Sequence, residues 1–158
     1  GTVSVDGYQL PDGEFRVGKT GASISLGYAK NWVSLLAGKT LESLQDNGYT
    51  GLVKPVSLDS VGGGGTKAQT LSLKDYRNLI MYAVSKGKPE AIAIANALID
   101  TSLEDWFRLS FNQTPMTLSE RTEMFDRTYK ESINWLEEDR KDWQKIEEQD
   151  RFLDNGYR

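Results

Sequence analysis

Apolar and polar residues alternate near the start of the chain in the manner of a half-buried strand. The extended segments Tyr8–Leu10 and Glu14–Val17 flank Pro11-Asp12-Gly13, and this combination of Pro, Asp and Gly favours a tight turn. The pattern predicts a β-hairpin. Two more extended segments, 49–58 and 68–73, flank the four glycines Gly62–Gly65 and predict a second hairpin with a flexible tip.

The segment between the two hairpins has apolar residues at helical spacing. Residues 22–26 and 29–36 predict two short helices that are separated at Gly27-Tyr28. A further short helix is predicted over residues 40–48, because Asn-Gly is a common place for a helix to stop.

A helical region follows the second hairpin. Ser72 and Asp75 have the spacing of a capping box, which predicts a helix that begins directly after Ser72. Two more helices are predicted over residues 90–100 and 103–111, with Thr101 as a cap between them.

A polar stretch without Pro or Gly closes the chain. Thr117 and Glu120 again have capping-box spacing and predict one long helix over residues 117–154. The whole pattern predicts an α+β protein, in which a domain of residues 1–113 holds a small mixed or antiparallel sheet with several short helices, followed by the long C-terminal helix.

Apolar residues recur along the long helix with a period near 3.5 residues, which is typical of a coiled-coil seam. The seam predicts a homodimer, and the alternative is that the helix packs back onto its own chain. The residues of this seam are Phe125, Tyr129, Ile133, Leu136, Trp143 and Ile146.

Composition removes several kinds of chemistry. The 158 residues include no Cys and no His, which excludes thiol nucleophiles, Cys/His zinc sites and imidazole catalysis. The net charge is −4, and residues 1–115 carry eleven basic and eleven acidic side chains, so the acidic excess lies in the tail. No membrane span, signal peptide or small-molecule cofactor is indicated, and a cytoplasmic protein is expected.

The predicted helices at 21–37 have the size of a unit that enters the major groove of DNA. Lys30, Asn31 and Ser34 are the candidates for contacts to base edges, unless Asn31 is simply a helix cap. The candidates for phosphate contacts are Arg16, Lys19, Lys39, Lys54 and Lys67.

Two other functions stay open. A protein–protein interaction module would act through the long helix. A metal-dependent nuclease would need converging carboxylates, since the metal ion must activate water. Its candidate residues by type alone are Asp12, Glu14, Asp46, Asp59 and Lys54, but no Asp…Glu-x-Lys spacing joins them.

Two blocks of residues 8–111 together resemble the N-terminal domain of the BRO family, which occurs in phage antirepressors and baculovirus repeated-ORF proteins. The first block runs from Gly13 to Asn31 and includes Leu26-Gly27-Tyr28-Ala29-Lys30-Asn31. The second includes Leu71–Ile80 and Lys88-Pro89-Glu90-Ala91. The resemblance implies double-stranded DNA binding through the first block. We therefore expect a non-enzymatic DNA-binding regulator of phage or mobile-element type.

Overall fold

The computed structural model describes residues 3–58 and 66–156, and it has the predicted α+β fold. A four-stranded antiparallel sheet has the strand order β1-β2-β4-β3. The strands are β1 (Gly7–Gln9), β2 (Phe15–Gly18), β3 (Lys54–Leu58) and β4 (Thr66–Ser72). The helices are α1 (Lys19–Ser25), α2 (Gly38–Asp46), α3 (Leu73–Ser85), α4 (Pro89–Ser110) and α5 (Leu118–Gly156). No helix in the described part of the chain combines the length and apolar character that a membrane span requires.

Both predicted hairpins are confirmed. In the first, the Leu10 amide donates to the Glu14 carbonyl at 2.8 Å, and Gly13 takes a φ of +93°, which favours glycine. In the second, β3 pairs with β4 from Lys54 opposite Thr70 to Leu58 opposite Thr66. The predicted glycine tip, Gly62–Gly65, lies outside the described residues.

The chain divides into two compact units, residues 1–95 and 96–158, which we call unit 1 and unit 2. The core of unit 1 includes Val17 and Leu71, which are paired across β2 and β4 and are 3% and 0% exposed. Buried Leu26, Leu44 and Leu79 extend this core. The division into domains 1–113 and 117–154 stays a prediction.

The second predicted short helix, over residues 29–36, is wrong. Only Val33–Leu35 is helical in this segment, as a single 3-10 turn. The Val33 amide donates to the Ser23 hydroxyl at 3.2 Å, whereas an α-helix would direct that amide to the carbonyl four residues earlier. Ser23 therefore holds the segment as turns packed against α1.

The predicted helix start after Ser72 is confirmed, because its hydroxyl accepts the Asp75 amide at 3.1 Å. The Asp75 side chain does not complete the capping box. Its carboxylate accepts the Thr50 amide, the Thr50 hydroxyl and the Gly51 amide at 2.9, 2.7 and 3.1 Å. Asp75 therefore fastens the loop before β3 to the start of α3.

The predicted break at Thr101 is wrong, since α4 runs from Pro89 to Ser110 without interruption. Thr101 is buried, and its hydroxyl donates to the carbonyls of Ala97 and Leu98 at 2.9 and 3.1 Å. Bonding back to the preceding turn satisfies the hydroxyl inside a helix, so Thr101 caps nothing.

Unit 2 contains the second part of α4 and all of α5, which run antiparallel. The side-chain pairs that join the two helices include Asn96 with Ser132, Asp100 with Thr128, Asp105 with Arg121, and Arg108 with Glu120. The predicted start of the long helix is confirmed, because the Thr117 hydroxyl accepts the Glu120 amide at 3.1 Å.

Candidate nucleic-acid interface

Three aromatic rings of unit 1 form a cluster, which we call the aromatic cluster: Tyr28, Trp32 and Tyr82. The rings of Tyr28 and Trp32 are stacked, with centroids 3.8 Å apart and an interplanar angle of 8°. Tyr82, from α3, lies 6.2 Å from Trp32 at 27°. The cluster joins the turn after α1 to the last turns of α3.

Two lysines lie over rings of the aromatic cluster. The Lys88 Nζ is 4.6 Å from the centroid of Tyr28, and the Lys86 Nζ is 5.5 Å from that of Tyr82. Both distances are within the range of a cation–π interaction. The two ammonium groups thus contact aromatic rings, with no carboxylate paired to either within the described ranges.

The turn that carries Tyr28 is fixed by its backbone. Gly27 has a φ of +84°, and a Cβ there would collide with the carboxylate of Glu90 in the first turn of α4. The Tyr28 amide donates to the Ser23 carbonyl at 3.1 Å. A hydrogen bond of 2.8 Å between the hydroxyls of Ser25 and Tyr76 ties the end of α1 to α3. The φ of Gly27 strains any residue other than glycine, so the turn geometry depends on that residue.

All three predicted base-contact residues are exposed and lie on this turn or directly after it. Lys30 and Asn31 come between Tyr28 and Trp32 in the chain, and Ser34 is in the 3-10 turn that follows. Lys39 is also exposed and directly precedes Thr40, whose hydroxyl accepts the Tyr82 hydroxyl at 3.4 Å. These predicted residues are thus exposed and close in the chain to members of the aromatic cluster or their partners.

The Tyr28 hydroxyl stays protonated through the physiological range. Burial raises its pKa above the ordinary value, and the nearby Tyr82 raises it further. A protonated phenol can donate a hydrogen bond to a phosphate oxygen or to a base acceptor. The cluster consequently offers a donor as well as two cations.

Arg16 does not fit its predicted role as a phosphate contact. The side chain is 3% exposed, and its guanidinium donates to the Thr70 hydroxyl and carbonyl, both at 2.9 Å, and to the Leu52 carbonyl at 3.2 Å. It also forms an ion pair of 2.7 Å with Glu14. The guanidinium is enclosed and engaged, so Arg16 holds the sheet together instead.

The other predicted phosphate contacts are dispersed. Lys19 is half-buried at the start of α1, while Lys54 and Lys67 are exposed on the second hairpin. The register places Lys54 opposite Thr70 and Lys67 opposite Ser57, so the two lysines lie on opposite faces of the hairpin. One flat surface cannot engage both.

The nuclease candidates are not gathered into a metal site in the described part of the chain, which has no group of three or more possible ligands. Glu14 is bound by Arg16 and by Lys54 at 3.0 Å, and hydrogen bonds from these two cations hold its pKa below the ordinary value. Asp12 accepts the Glu14 amide at 2.9 Å. Asp59 is outside the described residues.

The predicted dimerisation seam divides into two parts. Phe125, Tyr129, Ile133 and Leu136 are half-buried along the part of α5 that begins beside α4. Trp143 and Ile146 are 60% and 48% exposed. The first part of the seam is thus partly covered within the chain, whereas Trp143 and Ile146 in the second part are open to solvent.

Tyr82, Lys86 and Lys88 were not predicted from the sequence as members of the candidate interface. The signal was present in the second block of the resemblance, which contains Lys88, but nothing in residue spacing indicates that α3 ends beside residues 28–32. That proximity depends on the packing of α1 against β2 and β4. The periodicity of apolar residues predicts individual helices and strands, but it does not predict which of them are in contact.

Comparisons of the chain with models of protein families, with curated proteins and with solved structures give no match. The resemblance to the BRO family therefore stays a prediction that rests on the two blocks of residues.

Proposed function

We propose that unit 1 binds double-stranded DNA without cleaving it, as a cytoplasmic regulator of phage or mobile-element type. The observation that carries the proposal is the surface made by the aromatic cluster, its two cation–π lysines and the adjacent turn with Lys30 and Asn31. Lys30, Asn31 and Ser34 would contact base edges, and Lys39, Lys86 and Lys88 would contact phosphates.

Charge supports the proposal. Residues 1–95 contain ten Lys and Arg against eight Asp and Glu, a net charge of +2, while residues 96–158 have nine against fifteen, a net charge of −6. Engaged groups do not change this balance, since buried Asp75 and paired Glu14 are matched by Arg16 and Lys54, the two partners of Glu14. A cationic surface on unit 1 favours approach to a polyanion.

Preorganisation of the lysines supports it as well. An exposed lysine loses rotamer freedom when it binds a phosphate, at a cost of up to about 2 kcal/mol. Lys86 and Lys88 are already restrained over Tyr82 and Tyr28 in the folded protein. Part of their side-chain entropy is therefore lost during folding, and less is lost when they bind a phosphate.

The two blocks that resemble the BRO family also meet in space. Lys88 of the second block lies over Tyr28 of the first, and Glu90 packs against Gly27. Residues that resemble one family and lie far apart in the chain thus form one surface, which is the surface assigned to DNA.

The experiment is fluorescence anisotropy of the full chain on mixed-sequence duplex DNA at several salt concentrations, without magnesium. We expect salt-sensitive binding in the micromolar range for the non-specific mode. Lys88→Gln should weaken binding to all sequences alike and reduce the slope of log K against log salt by about one. Lys19→Gln should act in the same way if Lys19 contacts phosphate.

The matched control is Lys74→Gln, which removes the same charge at the opposite end of α3. Lys74 is exposed and lies about 18 Å from Lys86 along the helix axis, at 1.5 Å per residue. If Lys74→Gln lowers the slope as much as Lys88→Gln, binding follows the overall charge and the assigned surface is wrong. Absence of binding at low salt would refute the function itself.

A second candidate function is homodimerisation through α5, which the exposure of Trp143 and Ile146 favours. A Trp and an Ile on one stripe of a helix, at a spacing of three residues, form a surface that a second copy of the helix could cover. The dimer would place two DNA-binding units on one assembly.

The chain provides a matched pair of tryptophans to test the dimer. Trp143 belongs to the predicted seam and Trp135 does not, yet they are 60% and 63% exposed. We expect sedimentation equilibrium to give a dimer that Trp143→Ala weakens about tenfold or more while Trp135→Ala leaves it unchanged. Equal effects of the two substitutions, or a monomer at all concentrations, would contradict the seam.

A further inference from the structure

One half of α4 in unit 2 is apolar and exposed to solvent between residues 98 and 109. With 3.6 residues per turn, six large side chains project from the same half of the helix, which we call the free face of α4. All six are exposed, at fractions between 45% and 75%. They are Leu98, Ile99, Leu103, Trp106, Phe107 and Leu109.

The charged residues of the same stretch lie on the other half of the described helix. They are Asp100, Glu104, Asp105 and Arg108. The Asp105 carboxylate accepts two hydrogen bonds of 3.0 Å from Arg121 of α5. Arg108 pairs with Glu104 at 2.9 Å and lies 3.9 Å from Glu120 of α5. The charged groups of α4 are therefore engaged on the side of α5, and the free face has none to offer a partner.

Side chains four residues apart form two ridges along the free face, and helices pack when the ridges of one enter the grooves of another. One ridge consists of Leu98, Ser102 and Trp106, and the other of Ile99, Leu103 and Phe107. An open groove of about 370 Å³ is lined by residues of both ridges. Ser102 is small, so the first ridge has a gap between two large side chains. A large side chain of a facing helix would fill that gap.

The exposed area of the free face is close to what one partner buries in a stable dimer. A large side chain has about 200 Å² of surface, so the six residues together present about 700 Å² at their observed exposures. Stable specific interfaces bury roughly 800 Å² on each partner. The largest apolar patch of a typical monomer is roughly 300–600 Å². The free face is therefore large enough to be one half of an interface.

We propose that a second copy of this chain covers the free face of α4, so that the two α4 helices pack against each other about a twofold axis. Each copy supplies the same surface in such a contact, so the gap at Ser102 and the ridge that fills it come from one sequence. Two identical uncharged faces also meet without burying a charge that lacks a partner. The inference depends neither on DNA binding by unit 1 nor on the α5 seam. If the α5 seam also associates, each copy has two partners, and dimers join into tetramers as the concentration rises.

The salt dependence of this pairing should be opposite to that of DNA binding. Residues 96–158 have a net charge of −6, so two copies repel each other at low salt. Salt screens this repulsion, and we expect the pairing to strengthen as the salt concentration rises. Binding to DNA weakens under the same change.

The absence of cysteine from the chain allows a cross-linking test with single thiols. Ser102→Cys places a thiol near the centre of the free face, and Ser119→Cys places one on exposed surface of α5 outside the groove. We expect a short bismaleimide to join copies of the Ser102→Cys chain about tenfold faster or more, because pairing raises the local concentration of one thiol beside its mate. The yield should rise with salt.

Sedimentation equilibrium of the full chain with Trp143→Ala tests the same contact by mass. This substitution weakens the α5 seam, so a remaining dimer reports on α4. Adding Trp106→Ala should weaken that dimer about tenfold or more. The matched control is Trp135→Ala, which removes an exposed tryptophan outside the groove and should leave the dimer unchanged. Circular dichroism at 222 nm would verify that all variants remain folded.

Three outcomes would overturn the inference. The first is equal rates of cross-linking for the Ser102→Cys and Ser119→Cys chains. The second is an equal effect of Trp106→Ala and Trp135→Ala on self-association. The third is a chain that stays monomeric but binds phosphatidylcholine vesicles until Trp106→Ala abolishes the binding, which would assign the free face to a lipid surface.

Discussion

Unit 1 and unit 2 each contain an arginine–carboxylate pair, but the two pairs differ in their exposure to solvent. In unit 1, Arg16 is 3% exposed and donates to four acceptors, which include the Glu14 carboxylate. In unit 2, Arg121 binds Asp105 through two hydrogen bonds of 3.0 Å, but the two side chains are 42% and 33% exposed. The same chemistry is therefore enclosed in one unit and open to solvent in the other.

Apolar side chains show the same difference. In unit 2, the buried residues of the described chain are Ala97, Thr101 and Met116. One face of α4 presents Leu98, Ile99, Leu103 and Trp106 around an open apolar groove, and Trp106 is 75% exposed. A large exposed apolar surface on a polar, acidic unit is typical of an interface. Unit 1 encloses its own core, whereas unit 2 leaves apolar area for another surface to cover.

The largest loss of stability is expected for Arg16→Met, and this variant tests the difference between the two units. The substitution leaves the carbonyls of Thr70 and Leu52 without these donors and the Glu14 carboxylate without its buried partner. Thr70 is fully buried, and a buried acceptor that loses its donor costs about 1–3 kcal/mol, whereas Glu14 is 33% exposed and keeps Lys54 as a partner. Urea unfolding monitored by circular dichroism at 222 nm would measure the loss, with Lys74→Met as the control for a solvent-exposed cation. A loss below about 1 kcal/mol would mean that the network contributes little to unit 1.

An intermediate effect is expected at alkaline pH, from Tyr49 in unit 1. Burial raises the pKa of its hydroxyl to about 12, with a further contribution from the nearby Asp75. The folded state therefore retains a proton that the unfolded state loses near pH 10. The corresponding stability is complete below pH 10 and is lost as the pH rises toward 12.

The Tyr49→Phe variant isolates that contribution. Its free energy of unfolding should decline less between pH 9 and pH 12 than that of the unsubstituted chain, while lysine titration is common to both. Measuring urea unfolding at each pH gives the difference directly. Parallel curves would show that Tyr49 ionises as easily in the folded state as in the unfolded one.

The sequence predicted local structure correctly where that structure depends on residues close together in the chain. The Pro11-Asp12-Gly13 turn and the caps at Ser72 and Thr117 depend on residues within a few positions, and all three are confirmed. Thr101 was wrongly predicted to be a helix cap, because the sequence alone does not distinguish a threonine at a helix end from one in a helix interior. Its burial and its bonds to the preceding turn distinguish the two.

The candidate site was harder to predict because it is made by distant segments. Lys30 and Asn31 were chosen because they lie in a segment that was predicted to form a short helix. The structure has turns there instead, and Ser23 accepts a hydrogen bond from the Val33 amide. Arg16 was misassigned because a basic residue on a short strand has the same pattern whether it faces solvent or the Thr70 carbonyl. Lys86 and Lys88 enter the site only because α3 ends beside Tyr28 and Trp32, which is a property of packing.

The smallest effect is expected for Arg121→Met in unit 2, and it sharpens the comparison with Arg16→Met. The substitution removes a paired arginine–carboxylate interaction, as Arg16→Met does, and the Asp105 hydrogen bonds raise the pKa of the Arg121 guanidinium. Both partners remain in contact with water, however, so Asp105 is hydrated when the pair is lost, and solvent screens the attraction. We expect the midpoint of urea unfolding to stay within experimental error of the unsubstituted chain. A clear fall would mean that the α4–α5 pairing depends on this ion pair, and that polar contacts rather than the uncovered apolar surface determine the stability of unit 2.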